Sequence, residues 1–70
     1  MGRNIALKQA RIAKNLKQWE VADRVGCKEL DICKIETNRT CPSYGLAKRI
    51  AEVLEADPRI LFPEVVGQID

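Results

Sequence analysis

One glycine, Gly26, does most to restrict what this chain can fold into. It separates two apolar patterns that each read as a short helix. Before it, Val21, Ala22 and Val25 recur three and four residues apart, which puts them on one face of a helix. After it, Ile32 and Ile35, with Cys27 just ahead of them, supply the inner face of a second helix. Glycine reaches positive φ without a Cβ penalty, so it ends the first helix sharply and turns the chain into the next. The small Ala22 lets the two helices cross closely. Lys28, Glu29, Leu30, Cys33 and Lys34 are left to point away from the core.

The rest of the chain supports an all-α fold. Seventy residues suffice for one domain, close to the lower size at which a single core holds itself together. The expected domain spans residues 1–70, with its core at 4–63 and a tail at 64–70. Hydrophobic residues make up 46% of the chain, yet there is one Trp, one Tyr and one Phe, so the core must be aliphatic. From about Asn4 a helix is expected, with Asn4 as its cap and Ile5, Ala6, Leu7, Ala10, Ile12 and Ala13 as apolar positions. Leu16 plugs the corner that follows. Thr37 to Ser43 reads as a polar loop, and Ser43 caps a fourth helix through Leu46, Ala47, Ile50, Ala51, Val53 and Leu54. Asp57-Pro58 starts a fifth, with a capping carboxylate followed by proline at the first helical position. Pro63 is expected to stop it, leaving Ile60, Leu61 and Phe62 to close the core. The helices are expected near residues 4–15, 18–25, 28–36, 43–54 and 58–62, with no β-sheet.

Charge is uneven. Residues 1–49 carry eleven basic and five acidic side chains, whereas residues 50–70 carry one and five. The crossing pair of helices lies in the basic part, as a phosphate-facing surface requires. The alternative is an ordinary solvated surface. Chemistry of other kinds finds little to use. Without any histidine, Cys27, Cys33 and Cys41 make neither a zinc site nor an activated nucleophile, and their odd number reads as free thiols in a reducing cytosol. No metal, cofactor, small-molecule ligand or enzymatic activity is expected. No apolar run approaches the ~20 residues of a membrane span, and no signal peptide is evident, so a cytoplasmic location is expected.

The stretch Gln18 to Glu36, with Arg11 before it and Pro42 after it, resembles the Cro/repressor type of helix-turn-helix, the lambda-repressor-like or XRE family. The likeness covers roughly residues 5 to 63. It implies a compact five-helix fold whose third helix, 28–36, enters the major groove of double-stranded DNA, in a small transcriptional regulator of bacterial or phage type. On that resemblance Lys28, Glu29, Leu30 and Lys34 occupy base-reading positions, and Lys17, Gln18, Arg39 and Thr40 lie at the phosphate backbone. Arg11 and Glu36 are expected to pair as scaffold, a guanidinium forked onto a carboxylate. The implied partner is a second copy of the chain, joined through helix five and the tail by Ile60, Leu61, Val65, Val66 and Ile69.

The sequence departs from the family pattern at several points. Lys17 stands where a capping Ser or Thr is usual, and Asn38 where glycine is usual. Asn is the next best residue for a left-handed turn, so that loop should survive. Trp19 falls on the outer side of helix two, and three roles are open to it: a lean on the DNA backbone, packing under helix one, or a partner surface. Glu29 and Asp31 are acidic on the helix that would meet DNA. They sustain an alternative in which the same fold is a protein-interaction module, such as an anti-repressor, without an operator of its own.

Overall fold

The computed structural model describes residues 3–66. These form six helices, with no strand among the described residues: α1 Ile5–Ala13, α2 Gln18–Val25, α3 Glu29–Glu36, α4 Tyr44–Leu54, α5 Pro58–Leu61 and α6 Pro63–Val66. The expected all-α fold is present with one helix more than the five anticipated. α5 ends before Pro63 as expected, and the extra helix arises because Pro63 also begins a further turn. Its fixed φ suits a first helical position, where an N–H would be unsatisfied anyway. Val65 and Val66 then donate their amides to the Phe62 carbonyl at 3.1 and 3.0 Å. At the other end of the chain α1 stops at Ala13, two residues short of expectation, and Asn15 turns the chain at φ 57°.

Gly26 takes φ 81° and ψ 33°, and a Cβ there would meet nothing within 4 Å, so the requirement for glycine is conformational rather than steric. The Ala22 carbonyl accepts from both Gly26 and Cys27 amides at 2.9 Å, closing the end of α2. Val21, Ala22, Val25, Ile32 and Ile35 are all buried, and they meet Ala47, Ile50, Ala51 and Leu54 of α4 in one core. Leu7, Leu16, Leu61 and Phe62 close it. Among these, Leu7, Val21, Ile32, Ile50 and Leu61 are essentially inaccessible, each stabilising the fold by about 1.5–3 kcal/mol relative to exposure.

The apolar residues of α1 divide between two sides. Leu7 is buried and Ala6 and Ala10 pack against the core, but Ile5 and Ile12, two turns apart, lie on the outside. Ile60 also faces outward, so it does not close the core with Leu61 and Phe62 as anticipated. Asn4 fixes α1 in place. Its Oδ1 accepts from the Leu7 amide at 3.0 Å and its Nδ2 donates to the Leu61 carbonyl at 2.8 Å. Its own backbone amide donates to the Glu36 carbonyl at 2.7 Å. One residue thus joins the start of α1 to the end of α3 and to α5.

Candidate nucleic-acid interface

Helix α3 is held by its inner face and open on its outer one. Ile32, Ile35 and Glu36 are buried, while Glu29, Leu30 and Lys34 are exposed and Cys33 is half-buried. Lys28 precedes the helix as its N-cap, in extended conformation with an exposed side chain. The positions anticipated to read bases therefore share one accessible surface, with Leu30 at 60% exposure although it is apolar.

Both helices of the crossing pair begin with a lysine at the N-cap. An ammonium group has no lone pair and cannot accept a helix amide. The cap is supplied from inside each helix instead: Glu20 Oε1 accepts from the Lys17 amide at 2.8 Å, and Asp31 Oδ2 from the Lys28 amide at 3.1 Å. This is the carboxylate half of a capping box, and it also sets negative charge near the positive end of each helix dipole. Asp31 thereby has a structural reason to be acidic. The sequence carries the signal for it, a carboxylate three residues after each cap.

The far end of α3 is fixed as firmly. Arg11 donates to Glu36 through Nε at 2.6 Å and through a second guanidinium nitrogen at 3.3 Å, and to the Leu16 carbonyl at 2.9 Å. Gln18 Nε2 adds a bond to the same carboxylate at 3.2 Å. Glu36 is 6% exposed, so this network satisfies a nearly buried charge and ties α1, α2 and α3 together. The expected Arg11–Glu36 pair is present, and Gln18 belongs to it as well. Beyond Glu36, Asn38 takes φ 59°, as the turn demands. Thr37 Oγ1 donates to the Cys33 carbonyl at 2.9 Å and the Arg39 amide to the Lys34 carbonyl at 2.8 Å. Arg39 and Thr40 are left exposed immediately past the end of the helix.

Trp19 is 54% exposed, on the outer side of α2 as expected. The three thiols are free; Cys41 is exposed and Cys27 and Cys33 are half-buried. Burial pushes the Cys27 thiol up from its ordinary value, the Asp31 carboxylate adds to this, and Arg49 opposes it. Cys27 is therefore held as a neutral thiol, not as a thiolate nucleophile. Of the residues expected to join a second copy of the chain, Leu61 must be withdrawn. Leu61 is 2% exposed and belongs to the core, packed in one cluster with Leu7 and Leu54, whereas Ile60 is 65% exposed. Val65 and Val66 are half-buried, and Ile69 lies outside the described residues.

A bracing helix, a glycine turn and a second helix anchored on one face and open on the other define a helix-turn-helix protein. The helix-turn-helix family model matches residues 7–61, which cover every helix from the body of α1 through α5. The chain belongs to this Cro/C1-type, or XRE, family of DNA-binding transcription regulators, which is not an enzyme family. Comparison with curated proteins and with solved structures gave no match. Among the described residues no helix is long and apolar enough to cross a membrane.

Proposed function

We propose that this chain binds a specific site in double-stranded DNA by laying α3 in the major groove, and regulates transcription by occupying that site. The observation that carries the reading is the outer face of α3, where Glu29, Leu30 and Lys34 are exposed beside Lys28 on a helix fixed at both ends. In groove chemistry lysine donates to guanine O6 or N7, a carboxylate accepts from cytosine N4, and leucine meets a thymine methyl. Lys17 and Gln18 at the start of α2, and Arg39 and Thr40 past the end of α3, then flank the reading helix as contacts to phosphates. The competing reading, a protein-interaction module, draws on acidic residues in α3. Asp31 no longer favours it, since its carboxylate serves the Lys28 amide.

Specificity from so short a helix calls for two copies on a two-fold site. Ile60, exposed on α5, is the natural centre of that contact, with Val65 and Val66 beside it. The test is selection of bound sites from a random DNA library, followed by binding measured against salt. A two-fold consensus that Lys34→Ala weakens supports the proposal. Enrichment of no sequence, with affinity equal for all DNA or absent, refutes it.

A further inference from the structure

Beside the Arg11–Glu36 pair lies a groove of about 730 Å³ that the reading helix does not occupy. Arg11, Gln18 and Glu36 line it from α1, α2 and α3, and Arg3, Ile5 and Lys8 line it from the start of the chain and the outer face of α1. Its charge is one-sided. The one carboxylate among its lining residues is Glu36, which Arg11 already neutralises. Arg3 and Lys8 are exposed, and among the described residues neither has an ion-pair partner. The groove thus holds two cations that have no ion-pair partner among the described residues, beside a largely apolar wall to which Ile5 and Ile12 contribute.

Its place in the fold says what those cations meet. Gln18 opens α2, and Thr37, which follows α3, also lines the groove, so its mouth adjoins the one edge of the surface assigned above to DNA where the start of α2 and the end of α3 meet through the Gln18–Glu36 bond. The Asn4 backbone bond to the Glu36 carbonyl, with its side-chain bonds to Leu7 and Leu61, holds Arg3 and Lys8 at a fixed offset from the reading helix. The backbone that carries both cations is thus already ordered, and only their side-chain freedom is lost when they engage a partner. We infer that the first turn of α1 is a second backbone clamp, in which Arg3 and Lys8 engage phosphates of the duplex flanking the groove that α3 reads. The inference rests on the proposed DNA binding and extends it from the helix pair to α1. These contacts neutralise phosphates and carry no base information.

The test uses the full chain with Arg3→Gln, Lys8→Gln, both together, and Lys14→Gln as a control that removes the same charge from the other end of α1. Affinity for the selected site and for unrelated duplex is measured between 50 and 200 mM salt, and thermal melts confirm that the exposed substitutions leave the fold intact. Each phosphate contact contributes about 0.9 to the slope of log affinity against log salt, which over that fourfold range is about 3.5-fold. Arg3→Gln and Lys8→Gln should therefore each reduce the salt-induced loss of affinity by about that factor, on both DNAs alike, while Lys14→Gln leaves it unchanged. Wild-type slopes in the double variant overturn the clamp and leave the reading helix untouched. A changed base preference also overturns it, because the residues would then be reading sequence. Wild-type protein that binds no DNA refutes the underlying proposal and the clamp with it.

Discussion

Replacing Arg11 by alanine removes three donors at once, two from the Glu36 carboxylate and one from the Leu16 carbonyl. Glu36, 6% exposed, then keeps the Gln18 amide at 3.2 Å. One hydrogen bond does not compensate a carboxylate taken out of water. Removing one partner from a buried pair costs about 3–5 kcal/mol, because the other charge is stranded. At roughly 0.05–0.15 kcal/mol per residue, a chain of this length holds about 3.5–10 kcal/mol in all, so the loss lies between about a third and the whole. Each kcal/mol corresponds to about 4–8 °C in a domain of this size, and Tm should fall by about 12 °C or more. Far-UV circular dichroism during heating and urea titration measures this directly. The double variant Arg11→Met, Glu36→Met separates a stranded charge from lost packing: it should recover much of the stability, since the unpaired carboxylate is gone. An Arg11→Ala protein with unaltered Tm and lost DNA binding would refute the reasoning and place Arg11 at the DNA instead of in the scaffold.

Three further outcomes follow from the same geometry. Asp31→Ala removes the carboxylate that accepts the Lys28 amide, and should destabilise the domain by about 1 kcal/mol, measured by urea unfolding; no loss would leave the acidity of Asp31 without its structural cause. Glu29→Gln keeps the length of the side chain, removes its charge and adds a donor able to pair with adenine, so it should raise non-specific affinity and shift one symmetric position of the selected site away from cytosine. Discrimination of about 1–3 kcal/mol is at stake, and identical consensus sites for both proteins would remove Glu29 from the readers. The Glu55 carboxyl is lowered from its ordinary value, first by its hydrogen bond from Lys14 and then by that ammonium's charge. Its folded value lies below its unfolded one, so its contribution to stability is present above the usual glutamate range and disappears as pH falls through the folded value. Melts against pH should show a small acid-side decline that Lys14→Met or added salt removes; a decline unchanged by either would assign it to another carboxylate.

The helix-turn-helix itself was legible in the sequence because its determinants are local. The spacing of Val21, Ala22 and Val25 fixes which side of α2 is buried, and Gly26 is the residue that its φ of 81° calls for. The caps at Asn4, Ser43 and Asp57 were readable for the same reason, since each side chain bonds an amide two or three residues along. Arg11 and Glu36 are 25 residues apart, and the sequence alone did not bring them together; family resemblance did. Tertiary structure decided what depends on the phase of short or terminal helices. Four residues of α5 carry no periodicity that could say Leu61 turns in and Ile60 turns out, and only closure against Leu7 and α4 settles it. Pro63 stands just past the end of α5, as a stop signal should, and the Phe62 carbonyl with its two amide donors makes it a start as well. The groove at Lys8 was invisible for a related reason: Asn4 and Glu36 lie far apart in the chain, and it takes the bond from the Asn4 amide to the Glu36 carbonyl to hold the first turn of α1 beside the end of the reading helix.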